Sequence, residues 1–531
     1  MVGFCENLGV TFGVTPVQAD LFLGSGGLVG DRVGPDSIWS VLHREGHRLF
    51  PDGLFADLFS DRGRRSVPPQ IVATVMVLQR LHGKSDREAV EAFEFDTRWK
   101  YACGVDINFG GFAHTVLVEM RARLARSDRP KRIFEVTLEA AREAGLVGVR
   151  RVLDSTPLYD AVATMDTITL IRSAMIELLD AADIVLRAEL RAVMVSGDVY
   201  VSNAKPQIDW DSRDAREVLI DSHARDGHAC LALLHERTLT IKVCEAAALL
   251  ASLLGQDLVR GEDGVFRIAR KVARDRIIST VDPEARHGHK TAAKGFDGYK
   301  GHVAADPDSE IITATAVTPG NAGDGTVAEE LIEDLLNDPD RGANAEVFGD
   351  AAYGTGSFQN VLENNQILSG CKTQSVSRRA NGLFTKDRFV VDLDADTVTC
   401  PDQVTVLISR HDDGSGTAKF GLTCATCPLR AQCTSSQSGR TISIHTYEAE
   451  LVRARIRNQD SDWRARYRAT RPKIERKLGH LMRRKHGGRN ARVRGRTKID
   501  ADFSLLAAAV NLARLAYKGL TATRTGWTIA T

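Results

Sequence analysis

No apolar run in this sequence is long enough to cross a bilayer, which excludes a membrane-spanning helix. The opening stretch, Met1 to Asp20, carries Glu6 and Asp20 and lacks a basic segment followed by an apolar one. No signal peptide is therefore expected, and the cytoplasm is the expected location. Net charge is nearly absent too, at +1 over 531 residues. Cysteine is sparse and mostly scattered: Cys5, Cys103, Cys230, Cys244 and Cys371 read as buried or inert thiols of a reducing compartment. What remains is an ordinary soluble composition, 43% hydrophobic and 26% charged. The chain is too long for one core, so roughly two to four units are expected.

Near-neutrality hides a bias. Residues 451–500 hold eighteen Lys and Arg against four Asp and Glu. A short basic run is usually a solvated helix face, but a bias sustained over fifty residues points to nucleic acid. The loop His486-Gly-Gly-Arg489 with Arg492, Arg494 and Arg496 reads as a grip on phosphate.

Four cysteines do cluster, as Cys400, Cys424, Cys427 and Cys433. Cys424-Ala-Thr-Cys427-Pro is a knuckle of the kind that wraps Zn²⁺, and four thiolates make a closed structural site. Zinc is one reading. A disulfide pair and unligated thiols are the others.

Hydrophobic periodicity divides the chain. Residues 1–148 read as an all-helical domain, with Ile71, Val72, Val75, Leu78 and Leu81 at helical spacing and Asp86 as a helix cap. It suits either DNA-end binding or dimerisation. Val149 to Asp154 is a short β-like run ending in an acid, and residues 161–284 form a helical insertion. Tyr299 to Val317 is a hairpin turned at Asp306-Pro-Asp-Ser309. Asp324 is placed as the cap of the next helix. Ala345 to Asp350 is a second strand ending in an acid; a helix over 354–363 and a strand over 366–371 follow. Residues 373–445 are β-rich. A helical stretch from Tyr447 to Lys485 carries Glu475, with a kink or break expected near Arg471 because Pro472 follows it. A last apolar helix runs from Phe503 to Leu515.

Strands alternating with helices argue for an α/β sheet, and acids at strand ends sit where such sheets place their ligands. The core is assigned to 149–160, 285–372 and 446–531, with a β-rich insertion at 373–445. Two acids from strands and one from a packed helix can converge on a pair of hard cations, an arrangement suited to phosphodiester transfer.

Five stretches, in order, carry a resemblance: Leu153-Asp154-Ser-Thr; His289 through Lys300 to His302; Val317-Thr-Pro-Gly-Asn321-Ala-Gly-Asp324; Gly349-Asp350-Ala-Ala-Tyr353; and the helix with Tyr467, Arg471 and Glu475. Together the sequence resembles an insertion-sequence transposase of the Asp-Asp-Glu type, in the IS-four superfamily and its "IS eleven eighty-two" group. The resemblance covers most of residues 30–517. It implies a ribonuclease-H-like catalytic core with Asp154, Asp350 and Glu475 as ligands of two Mg²⁺ (or Mn²⁺) ions. It also implies cleavage at element ends and strand transfer into target DNA. Double-stranded DNA is then the partner, a homodimer is expected in the DNA complex, and the protein would lie on the nucleoid when bound. A hairpin intermediate at the element end is compatible with the β-rich insertion.

The third acid departs from the family pattern. Thr470 stands where Arg is expected after Tyr467, Arg471 keeps its spacing to Glu475, and Met482 replaces Lys with Arg483 and Arg484 beside it. Glu448 and Glu450 are the alternative acids. Lys300, His302, Asn321, Tyr467, Arg471 and Arg483 are the DNA-contact candidates. Lys300 and His302 alternate on one strand face and read either as phosphate contacts or as exposed polar positions on an edge strand. A metal-dependent nuclease on the same fold, and an inactive transposase-derived DNA-binding protein, are the rival readings.

Overall fold

A computed structural model describes residues 10–14, 25–60, 62–160, 164–201, 206–271, 273–291, 293–342, 344–374 and 382–529. Cys5 and residues 375–381 lie outside these, so their expected thiol and β character go undescribed. The N-terminal part is helical: α1 (Ile38–Leu49), α2 (Pro69–Leu81), α3 (Asp86–Phe95), α4 (Thr97–Ala102), α5 (Thr115–Arg126) and α6 (Arg132–Glu143). Ser85, not Asp86, caps α3. Its hydroxyl accepts from Glu88 N while Glu88 reaches back to Ser85 N, a reciprocal box that satisfies two otherwise orphaned donors.

The central sheet is mixed. Strand β1 (Arg150–Tyr159) is followed by an insertion of α7 (Thr167–Ala181), α8 (Ile184–Ala192), α9 (Arg213–Leu234) and α10 (Ile241–Asp257). The sheet resumes with β2 (Arg286–Thr291), β3 (Lys294–Ala305), β4 (Ile312–Pro319) and β5 (Glu346–Gly349). After α11 (Gly356–Asn364) comes β6 (Leu368–Cys371). Its order is β6-β5-β1-β3, with β2 against the first half of β3 and β4 against the second. β3 runs antiparallel to β1, β2 and β4, whereas β1, β5 and β6 are parallel.

A second, five-stranded antiparallel sheet in sequential order follows: β7 (Val390–Asp392), β8 (Thr397–Thr399), β9 (Thr405–Arg410), β10 (Gly416–Lys419) and β11 (Thr441–Ile444). The chain closes with α12 (Glu448–Arg457), α13 (Ser461–Leu481) and α14 (Arg496–Tyr517). Among the described residues no helix is long and apolar enough to cross a membrane.

Four hydrophobic clusters organise these elements. The N-terminal helices do not close on themselves: they share one core with α14 and with Val152, Leu158, Tyr299 and Val303 from one face of the sheet. The buried Arg80 of α2 reinforces that joint, with Asp502 of α14 3.0 Å from its Nε. The opposite sheet face, with Leu153, Ala304, Ala316 and Val347, packs against Phe358 and Leu362 of α11. The helical insertion and the five-stranded sheet each hold a separate core.

Three expectations need correction. First, Asp154 lies within β1 rather than at its end, because the antiparallel ladder with β3 carries the strand on to Tyr159. Second, α13 runs unbroken through Pro472, and the break falls at 458–460, where the Asp460 carboxylate accepts from Trp463 N at 2.7 Å and starts a new helix. A helix-interior proline removes one donor and crowds the preceding turn. Here α13 is held on the sheet before that point by Trp463 and Arg471, and beyond it on the β3–β4 turn by Lys473 and Arg476, so docking outweighs the local cost. Third, 324–336 is a set of 3₁₀ turns plus one short helix, and Asp324 caps nothing.

Candidate active site

Residues β1 and β5 bring two acids to the same place. Their parallel pairing covers only Arg150–Val152 against Glu346–Phe348. Asp154 follows just beyond that pairing, and Asp350 is the first residue after β5. Adjacent parallel strands thus deliver both carboxylates to one end of the sheet. Asp350 is held in a turn by Ala352 N at 3.0 Å, and Asp154 Oδ1 accepts from Ser155 N at 2.9 Å.

Helix α13 supplies the third acid. Trp463 Nε1 donates to Ser369 O on β6 at 3.0 Å, and Arg466 reaches Glu346 on β5. Arg471 Nη1 donates to Leu153 O on β1 at 2.7 Å. The helix therefore crosses β6, β5 and β1, and its Arg471 and Glu475 side chains come over the strand ends. Tyr467 stacks on Trp463 with 5.1 Å between ring centres and is half-buried.

All three carboxylates meet one guanidinium. Arg471 Nη2 is 2.7 Å from Asp154 and 3.8 Å from Asp350, and its Nε is 3.5 Å from Glu475. The side chains of Asp154 and Arg471 are each 12% exposed, against 41% for Asp350 and 60% for Glu475. Burial pushes the Asp154 carboxyl above its ordinary range, and Arg471 partly opposes this. Among the described residues no three His, Cys, Asp or Glu side chains are grouped tightly enough to hold a metal ion. The carboxylates are gathered on a cation, not on a point.

The neighbouring candidates divide. Lys300 joins the site at one remove: its Nζ lies 2.8 Å from Asp324 Oδ1, and Asp324 Oδ2 accepts from Ser155 Oγ at 2.5 Å. Asp324 therefore ties the residue after Asp154 to β3. Its place in Asn321-Ala-Gly-Asp324, three residues after Asn321, was the available signal for it. His302 is fully buried, bonded to Tyr353 Oη at 2.8 Å and Thr318 Oγ1 at 2.9 Å, and cannot touch phosphate. Strand β3 is flanked on both edges, so the edge-strand alternative fails as well. Asn321 donates to Asp275 at 2.8 Å, on the rim of a cleft of about 680 Å³ that is also lined by Lys300, Arg274, Arg286, His287 and His289. Arg483 is exposed, beyond the end of α13. Glu448 is committed to Lys386 and Arg455, and Glu450 to Arg453, away from Asp154.

The basic bias is partly spent internally. Arg453 and Arg457 pair with Glu363, Lys473 with Asp308, and Arg476 with Glu310. The 486–489 loop is stitched to its neighbours: His486 is buried against Leu81 O, Arg489 O accepts from Tyr159 N, and Arg492 donates to Lys84 O. Of the scattered thiols, Cys103, Cys230 and Cys371 are buried but Cys244 is exposed. Cys400, Cys424, Cys427 and Cys433 line one pocket with Phe384, Phe389 and Phe420, and Cys424 Sγ accepts from Arg440 N at 3.4 Å.

The site is thus an acid cluster at the edge of a mixed α/β sheet, closed by an arginine from a docked helix. Residues 399–516, which include Arg471, Glu475 and the four cysteines, match the family model described as Transposase DDE domain. Residues 40–123 match the one described as Transposase domain (DUF772). Together the two matches support a transposase of the DDE type. No curated protein matches the chain, and no solved structure does.

Proposed function

We propose that the chain is a DDE transposase that cleaves DNA at element ends and joins the freed 3′-hydroxyl to target DNA. The observation that carries this is the gathering of Asp154, Asp350 and Glu475 around the single guanidinium of Arg471. The sheet supports it. Apart from β2, the spatial order β4-β3-β1-β5-β6, with three antiparallel strands and then two parallel to the first, is what the expected ribonuclease-H-like core would require.

The donor set suits the ions such a core uses. Three carboxylates are hard oxygen ligands, and the site already stabilises positive charge. Asp154, Asp350 and Glu475 would hold two Mg²⁺ or Mn²⁺ ions, which activate the attacking oxygen and neutralise charge on the leaving one. Arg471 has two tasks. It compensates the buried Asp154 carboxylate before ions arrive, and it fixes α13 on β1 so that Glu475 stays within reach. Lys300 and Asp324 hold Ser155, and through the backbone Asp154, in place. The cleft beside Lys300 offers cations to the DNA backbone, and the protein acts there as a homodimer. The four cysteines of the β-rich insertion, which line one pocket, would draw in to hold a structural zinc when it binds.

The test is a plasmid assay in which the purified chain meets a duplex carrying the sequences that flank its gene. Cleavage and joined product are expected with Mg²⁺ and neither with EDTA. Cleavage without joining would favour a nuclease on the same fold. Binding with neither reaction would favour an inactive relative.

A further inference from the structure

Behind α13, away from the acids, lies a second site. Lys477 is two residues after Glu475, so the two side chains leave the helix on roughly opposite sides. Lys477 is 2% exposed, yet it forms no hydrogen bond or ion pair among the described residues. A buried lysine is rare unless paired. It lines a cleft of about 320 Å³ together with His480, Arg483, Lys485 and Arg514. Among the described residues that line it, Glu310 is the only carboxylate; it acts on Lys477 across the cleft but is already joined to Arg476. Arg514 is anchored by its Nε to Ser309 O at 3.1 Å. Arg483 and Lys485 are exposed and, like Lys477, make no side-chain hydrogen bond or ion pair among the described residues.

This is an excess of positive charge around a concave space, built at a joint. Leu81 of α2 closes one wall, within the segment matched as a transposase domain at 40–123. Lys477, Arg483, Lys485 and Arg514 belong to the segment matched at 399–516. We propose that this cleft binds a phosphodiester of duplex DNA, with Lys477 as the buried anchor and Arg483 and Lys485 as the mouth. A phosphate fits the observations because its oxygens would give the ammonium the hydrogen bonds it lacks among the described residues and offset the surplus charge. The inference rests on the DNA-acting reading above but concerns a contact remote from the three acids.

The test uses the full-length chain and a fluorescent duplex of about 30 base pairs, titrated between about 50 and 200 mM salt. Lys477→Met keeps the stem and removes the charge. It should fold with an unchanged or higher Tm, bind DNA about tenfold more weakly and reduce the salt slope by about one. Arg483→Ala with Lys485→Ala should act in the same direction, which keeps the test open if Lys477→Met fails to fold. DNA affinity and slope equal to wild type in both variants would overturn the proposal. Inorganic phosphate that raises the Tm of wild type but not of Lys477→Met, with DNA binding unchanged, would assign the cleft to a small anion and overturn its role in DNA binding. If wild type binds no DNA, the transposase reading fails first and this inference falls with it.

Discussion

The guanidinium of Arg471 lies 2.7 Å from the carboxylate of Asp154, and both side chains are almost withdrawn from water. An acid at this depth is costly without a positive partner. The same arginine reaches Asp350 and Glu475, so three acids share one cation that offsets only part of their charge. On the proposed two-metal reading, divalent ions and Arg471 would compete for the same oxygens.

That competition is measurable. Arg471→Ala leaves Asp154 buried and unpaired and should lower stability by about 3 kcal/mol. Mg²⁺ should then stabilise the variant more than it stabilises wild type, as the ion takes over the lost charge. An unchanged melt, or an identical Mg²⁺ response in both proteins, would contradict the role given to Arg471.

His302 makes stability depend on acid. Burial holds its imidazole down, from an ordinary value near 6.5 to about 4. The unfolded chain therefore binds a proton at His302 between those values while the folded chain does not, so stability falls as pH drops through that window. Relative to His302→Asn, wild type should lose about 2 to 3 kcal/mol between pH 7 and pH 4. A difference between the two proteins that stays constant with pH would refute this.

Gly298 joins β3 to β1 where no side chain fits. Its φ is +133°, and an added Cβ would stand 2.3 Å from Leu158 O and 2.7 Å from Asp160 N. Gly298→Ala should cost more than about 2 kcal/mol, because backbone atoms cannot swing aside. A variant that melts with wild type would mean that this ladder relaxes freely.

The cysteine pocket can be examined without activity. About one zinc per chain should co-purify and be lost in Cys424→Ser with Cys427→Ser, with residues 382–445 becoming protease-sensitive. A metal-free chain with an equally resistant insertion would leave the four as plain thiols.

Much of the fold could be read from local pattern. The 299–317 hairpin reads as two β-like runs about an Asp306-Pro-Asp-Ser309 turn, and it is the β3–β4 pair. Asp350 ends its strand as expected because Gly349 closes the parallel pairing. What could not be read depends on distant partners. Asp154 looked like a strand end, but the ladder of β3, more than a hundred residues away, extends the strand past it. His302 and Lys300 share one strand face, and only the packing of Tyr353 and Asp324 separates a core imidazole from a half-buried cation. Pro472 overstated the local break, since α13 takes its stability from the sheet beneath it.

The most direct test of the account is joined product formed in Mg²⁺ by wild type, Asp154→Asn, Asp350→Asn and Glu475→Gln, each shown to be folded and DNA-bound. Each substitution should lower the rate at least about a thousandfold, and combining two should add little, because the acids act as one unit. Near wild-type joining by the Asp154 or Asp350 variant would contradict the account.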